Sequence, residues 1–325
     1  MRLPIKKLIM HKDFSLKNKK VWVAGHNGMV GSALCNRLKK EKCNLLTISR
    51  SKLDLCRDSD VEDWMKINQP NIVFLAAAKV GGILYNSKKP AEFITENLQI
   101  QTNVIKYSHM YDVEKLIFLG SACVYPISEK PIKEDLLLTG KLETTNKAYA
   151  VAKIAGIEMC KFYREQYNSN FISVQPNNLY GFKDNFSNQT SHVIPALIGR
   201  IHNAKKKGED KVLIWGSGKP QREFVFIEDL ADALVFITKK YNDSAPINIG
   251  SGEEITIFEL ATLIAKVIKF PGKLVFDESF PDGVPRKFLD TSKLKKLGWN
   301  PRIKLNEGIK MTYSWYLENI DHENE

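Results

Sequence analysis

Apolar runs of strand length punctuate the first 180 residues: VWVAG (21–25), LLTIS (45–49), NIVFLA (71–76), LIFLG (116–120) and FISVQ (171–175). Segments with helical periodicity separate them, long enough to serve as crossover helices. That rhythm is the pattern of a parallel sheet covered on both faces, and it leaves few other folds open. The interval from Asn146 to about Gln166 has no Pro and holds one Gly, Gly156, so it reads as one long helix. After Pro176 the rhythm breaks into loops rich in Asn, Gly and Pro. A helix is expected from near His192–Val193, a strand at VLIW (212–215) and a helix from about Thr256. FDESFPDGVP (276–285) reads as loop. A chain of 325 residues exceeds the usual size of one hydrophobic core, so two lobes are expected.

Composition removes several classes. No apolar run approaches the roughly 20 residues of a membrane-spanning helix. The apolar stretch Leu8–Ile9–Met10 is too short for the core of a secretory signal. Five cysteines, Cys35, Cys43, Cys56, Cys123 and Cys160, include no CxxC pair, so neither a disulfide framework nor a zinc site is indicated. A reducing cytoplasm fits that usage. The net charge of +11 resides in Lys runs such as Lys205–Lys206–Lys207. No aromatic residues interleave with them, which argues for a solvated surface that attracts a polyphosphate ligand rather than a nucleic-acid platform.

Gly25-His26-Asn27-Gly28-Met29-Val30-Gly31 follows the first expected strand and opens a helix. Such a turn lets backbone approach a pyrophosphate closely and places its charge at a helix N-terminus, as in a dinucleotide site. The second strand ends in Ser49-Arg50-Ser51-Lys52, with no carboxylate where an NAD-selective site holds the ribose 2′-hydroxyl. Arg50 can pair with a 2′-phosphate instead, so NADPH is the expected cofactor. Tyr149 and Lys153, four residues apart, share one helix face. A neighbouring ammonium is expected to draw the phenol's pKa toward neutrality, making Tyr149 an acid–base group. Ser121, directly after the fourth strand, lies at the sheet's C-terminal edge, where ligands of open α/β folds bind.

The glycine motif, Ser121 and Tyr149-x-x-x-Lys153, in this order and spacing, resemble the extended short-chain dehydrogenase/reductases. Longer segments resemble the GDP-L-fucose synthases of that family, which are GDP-4-keto-6-deoxy-D-mannose 3,5-epimerase-4-reductases. They are GHNGMVGSA (25–33), AAAKVGGI (76–83), LGSACVYP (119–126), YAVAKIAG (149–156), NNLYG (177–181), SHVIPAL (191–197), WGSGKPQREF (215–224) and PDGVPRK (281–287). The resemblance implies an α/β fold: a Rossmann-type doubly wound parallel sheet with a smaller C-terminal α/β substrate-binding lobe. It divides the chain into an N-terminal extension (1–18), an NADP-binding domain (19–180, with a returning segment at about 223–250) and a substrate lobe (181–222 and 251–320).

By the same resemblance, NADPH reduces the C4 ketone of a GDP-sugar after C3 and C5 are inverted. Ser121, Tyr149 and Lys153 are the implied reductive group. Cys123 and His192 are the implied epimerising pair, with the division of acid and base left open. The implied cofactor contacts are residues Gly25, His26, Asn27, Gly28, Met29, Val30, Gly31, Arg50, Leu119, Gly120, Ser121, Ala122, Lys153, Pro176, Asn177, Asn178, Leu179 and His192. Arg200, Trp215, Arg222, Asp282 and Lys287 are implied at the nucleotide end of the substrate. A homodimer, a cytoplasmic location and no metal, nucleic acid or membrane partner are expected. Three residues depart from the family pattern: Ala122 stands where a second Ser is usual, Asn177 where Thr is usual, and Gly199 in place of a basic residue.

Rival readings are a sugar-nucleotide 4,6-dehydratase, a C4-reductase without epimerase activity on another GDP-4-keto-deoxy sugar such as a heptose, and a non-catalytic NADP-binding module. The dehydratase would want an Asp-Glu pair where Ala122-Cys123 stand.

Overall fold

The computed structural model describes residues 13–81, 86, 88–187, 191–280 and 282–320. Six parallel strands form the large sheet: β1 (Lys20–Ala24), β2 (Asn44–Leu46), β3 (Ile72–Leu75), β4 (Lys115–Leu119), β5 (Phe171–Pro176) and β9 (Ile247–Ile249), in the order β2-β1-β3-β4-β5-β9. β3, β4 and β5 are buried at every residue, as strands covered on both faces must be. One face packs against α1 (Met29–Leu38) and α6 (Ile227–Lys240) through Leu34, Leu38, Leu230 and Leu234. The other face packs against α2 (Asp58–Asn68), α3 (Pro90–Met110) and α4 (Lys147–Tyr167) through Val61, Val104 and Ile157. The strand order reverses between β1 and β3, and an open α/β sheet binds its ligands outside the strand ends at such a point.

A smaller sheet is built around β8 (Gln221–Phe226), which pairs antiparallel with β10 (Glu254–Thr256) and parallel with β12 (Arg286–Lys287) and β6 (Asn178–Tyr180). β7 (Lys211–Trp215) and β11 (Lys273–Asp277) form a separate parallel pair. Helices α5 (Val193–Lys206), α7 (Ile257–Ile268) and α9 (Leu305–Asn319) enclose a third core with them, around Ile198, Ile214, Phe226 and Ile264. α7 begins where the sequence places it: the Thr256 hydroxyl accepts from the Glu259 amide and the Glu259 carboxylate accepts from the Thr256 amide.

Four details differ from the sequence reading. β6 is a strand inside a stretch that reads as loop, because its partner β8 lies far along the chain and local propensity cannot see it. β8 belongs to the smaller sheet, so the return to the large sheet starts with α6 rather than at residue 223. Phe276 and Asp277 finish β11 before the loop begins. Residues 13–18 are not a loose extension: Leu16 is 1% exposed within the first core, and the Phe14 amide donates to Lys239 O at 3.0 Å. The rest of that expected extension, residues 1–12, lies outside the described residues.

The two sheets are joined by a buried carboxylate. Glu223 on β8 has no exposed surface and accepts hydrogen bonds from the Asn177 side-chain amide, Gly252 N (2.7 Å) and Leu289 N (3.2 Å). Burial raises its pKa, while these N–H donors favour the charged form.

α4 lies unusually close to β4. A Cβ on Gly156 would come within 2.3 Å of the Phe118 ring, which is itself fully buried. Gly156→Ala should therefore destabilise the protein, because overpacking costs about 1–3 kcal/mol and outweighs the ~1 kcal/mol that Ala gains over Gly inside a helix. Urea denaturation measures this directly. A variant as stable as the parent would refute the close approach.

Candidate active site

The glycine turn is dictated by backbone contact. Gly25 has φ +92° and lies so near β3 that a Cβ would meet Ala77 N at 2.7 Å. A Cβ on Gly31 would fall 2.1 Å from Gly25 O, so α1 can start this close to β1 only with glycine there. Gly28, the N-cap of α1, has no side-chain cap, and a Cβ there would meet only Gly25 O at 3.5 Å. The first amides of α1 are thus left for an anion, and the turn fits a dinucleotide pyrophosphate.

The turn opens onto a cavity of about 980 Å³, formed where the C-terminal ends of β1, β3, β4 and β5 face the smaller lobe. Every residue nominated from the sequence lines it. Beyond the turn stands Arg50, exposed and 3.6 Å from the Glu96 carboxylate. Lys79 pairs with Glu96 and with Glu92, the latter at 2.8 Å. Asp54, Lys79 and Glu96 all line this end of the cavity and went unnoticed in the sequence. Glu96 comes from α3, and only the packing of α3 beside the β3 end brings it near Arg50.

At the centre, Lys153 is 3% exposed and donates to Leu119 O at 2.7 Å. Its nitrogen lies 5.7 Å from the centre of the Tyr149 ring and 4.8 Å from that of Phe118. Burial lowers the Lys153 pKa to about 8. Burial, reinforced by Cys123, pushes the Tyr149 phenol up rather than down. The expected lowering of the phenol is therefore not met. Lys153 commits a proton to a backbone carbonyl, and desolvation of the phenolate outweighs its pull. A phenol held protonated suits proton donation.

Ser121 closes β4. Its amide donates to Gln175 Oε1 at 2.9 Å, and its hydroxyl accepts from Cys123 N at 3.3 Å, capping the short turn Ala122–Val124. This places Cys123 at the cavity wall, 9% exposed. Burial raises the Cys123 thiol pKa, opposed by Lys287, by a hydrogen bond with Ser121 and by Lys153. His192, the N-cap of α5, has its pKa lowered from 6.5 by burial and then by Lys287. The charge of Lys287 therefore acts on both Cys123 and His192. β12 positions it by pairing Lys287 with Arg222 on β8. Burial lowers its own pKa, with Cys123 opposing.

Toward the other end, the Arg200 guanidinium lies 4.5 Å from the Trp215 ring centre and donates to Leu213 O at 3.0 Å. Phe280, absent from the sequence reading, stacks on Trp215 at 4.7 Å and 12°. Asp282 spends both carboxylate oxygens on Ser217, accepting from its amide (2.9 Å) and its hydroxyl (2.6 Å). It fastens the loop after β11 to the Gly216–Ser217 turn. Asn177, which stands where Thr is usual, donates from its side-chain amide to Glu223 and accepts at its side-chain carbonyl oxygen from Asn178 N at 3.0 Å.

The chain is similar to known proteins in sequence and in fold. Residues 21–250 match the family described as NAD dependent epimerase/dehydratase. The chain is 50% identical over 308 residues to GDP-L-fucose synthase of Sinorhizobium fredii, with 94% of this chain and 98% of the relative covered. A solved GDP-6-OMe-4-keto-L-xylo-heptose reductase from C. jejuni superposes with a TM-score of 0.88 at 36% identity, covering 94% of this chain and 99% of that one. A GDP-L-fucose synthetase from Naegleria fowleri bound to NADP gives 0.88 at 30% identity, covering 95% and 96%. The chain belongs to the NAD dependent epimerase/dehydratase family.

Proposed function

We propose that the protein converts GDP-4-keto-6-deoxy-D-mannose into GDP-L-fucose, inverting C3 and C5 and reducing C4 at the expense of NADPH. The observation that carries this reading is the meeting of two acid–base sets in one cavity: Tyr149 with Lys153, and Cys123 with His192. The likeness to a GDP-L-fucose synthase at 50% identity and to a GDP-L-fucose synthetase bound to NADP supports the substrate and the cofactor.

The C4 ketone acidifies the protons on C3 and C5. His192, kept neutral by burial, can take a proton. Cys123, kept as a thiol by burial, can return one. At each carbon the base and the acid act on opposite faces of the ring, and proton exchange with solvent restores both groups between the two inversions. Ser121 and Tyr149 hydrogen-bond the C4 oxygen as negative charge develops there, and the Lys287 ammonium beside Cys123 favours the same charge. Bound NADPH supplies the hydride to C4. Tyr149 then gives its proton to the oxygen, forming the alcohol, and solvent reprotonates the phenolate.

A second reading, reduction at C4 of another GDP-4-keto-deoxy sugar such as a heptose, is favoured by the likeness to the C. jejuni heptose reductase. Retention of both Cys123 and His192 in the cavity favours the epimerising reading. A homodimer is proposed through α3 and α4, supported by exposed Val151, Phe162 and Tyr167 on α4. A cytoplasmic location is proposed, supported by the five unpaired cysteines.

Incubation with NADPH and GDP-4-keto-6-deoxy-D-mannose, with the product sugar identified by NMR, tests the whole proposal; GDP-L-fucose is expected. Tyr149→Phe should remove most reduction, by a factor on the order of 10²–10⁴ for loss of a general acid, while solvent deuterium still exchanges at C3 and C5. Intact reduction without exchange would overturn the roles. The exchange rate should hold through the ordinary imidazole range and fall only at more acidic pH, once His192, its pKa lowered by burial, gains a proton. Reduction should fall as pH rises through about 8, where Lys153 loses its charge. A flat pH–rate profile would exclude both groups. Arg50→Ala should raise KM for NADPH on the order of tenfold, the worth of one charge-assisted contact, and leave KM for NADH unchanged. Equal effects on both cofactors would remove Arg50 from the 2′-phosphate.

A further inference from the structure

Between β3 and α3 the chain buries an amide whose hydrogen bonding is half complete. Asn86 is 6% exposed and lines the cavity. Its Nδ2 donates to Asn146 Oδ1 at 2.6 Å, while its Oδ1 has no partner. A buried amide oxygen without a donor costs roughly 1–3 kcal/mol, so such groups are rare unless a ligand completes them.

The neighbours define where this oxygen stands. Asn146 is the N-cap of α4, and Tyr149 is the third residue of that helix. The cap is fixed from the other side by Glu143, which accepts from Thr145 N at 2.8 Å and Asn146 N at 3.0 Å. Asn86, Glu143, Thr145, Asn146 and Tyr149 all line the same cavity. Asn86 is therefore tied to the N-cap of the helix that carries Tyr149, one helical turn before that phenol's position in the chain.

An unpaired carbonyl oxygen asks for a donor. The cavity residues around the reaction centre already supply donors in Tyr149, Ser121, Lys153 and Lys287, which suit a ketone oxygen but leave the hydroxyl protons of a sugar unanswered. Resting on the function proposed above, we infer that Asn86 is a further substrate-binding residue: its Oδ1 accepts a hydrogen bond from a ring hydroxyl of the hexose. A 4-keto-6-deoxyhexose joined to phosphate through C1 keeps only two hydroxyls, on C2 and C3, so the partner is one of these. Asn86 then has two duties, steadying the cap of the helix that carries Tyr149 and setting the ring's rotation so that C4 faces that phenol.

The test is a comparison of substrates as well as of proteins. NADPH oxidation is followed for the parent and Asn86→Ala with the full GDP-4-keto-6-deoxy-D-mannose and with its 2-deoxy and 3-deoxy counterparts. On the full substrate the variant should lose about tenfold in kcat/KM, the worth of one hydrogen bond. On one deoxy substrate, the one lacking the partner hydroxyl, parent and variant should agree within about twofold, because the interaction is already gone. NADPH affinity, read from its fluorescence, should be unchanged. Equal losses on all three substrates would overturn the inference and leave Asn86 with its cap alone. In the parent protein, deoxygenation that costs nothing at either carbon would overturn it as well. Should Asn86→Ala fail to fold, Asn86→Ser, polar but too short to span the same gap, gives the same comparison. A parent that turns over none of the three would count against the proposed function itself.

Discussion

The residues that line the cavity come from both sheets, and the two sheets meet on one buried carboxylate. Glu223 is fully buried and accepts from three N–H donors on three separate segments: the end of β5, the turn after β9 and the strand exit after β12. Removing one donor from such a buried acceptor leaves it under-satisfied, a cost of about 1–3 kcal/mol. That dependence explains why Arg222, one residue before Glu223, and Lys287, two before Leu289, hold fixed positions over a cavity whose floor belongs to the large sheet. It also accounts for Asn177. Its side-chain amide reaches Glu223, and Gly250 leaves the room: a Cβ there would lie 2.4 Å from the carboxylate.

A second constraint is closeness of backbone. α1 rests on β1 through Gly25 and Gly31, and α4 rests on β4 through Gly156. Each approach sets a chemical group: uncapped amides over an anion site in the first case, Lys153 against Leu119 O in the second. The same packing dries the centre of the cavity. Burial moves Tyr149 and Cys123 toward their protonated forms and His192 and Lys153 toward their neutral ones. A site that must take a proton at one carbon, return it, and finally protonate an alkoxide is served by that division. Donors keep their protons and the imidazole stays free to accept one.

Much of this was legible along the chain. The apolar rhythm of β1 to β5, the glycine turn, the Tyr149-x-x-x-Lys153 spacing and the position of Ser121 are local patterns, readable because period and spacing are properties of sequence, whereas Cys123 and His192 stood out only through the family resemblance. What escaped were partners brought from afar. Glu96 opposite Arg50, Phe280 on Trp215 and Asn86 on Asn146 join residues separated by dozens of positions, and no local signal marks them.

The sequence by itself determined the class of fold and the glycine turn, since each follows from residue type at fixed spacing, and it nominated Tyr149 and Lys153 by their four-residue separation. Tertiary structure decided how those groups behave. The Lys153 ammonium was expected to draw Tyr149 down, yet burial holds the phenol up, because desolvation depends on what surrounds a group in space. β12 seats Lys287 opposite Arg222, where its charge also reaches Cys123, because strand register is fixed only when β8 and β12 pair.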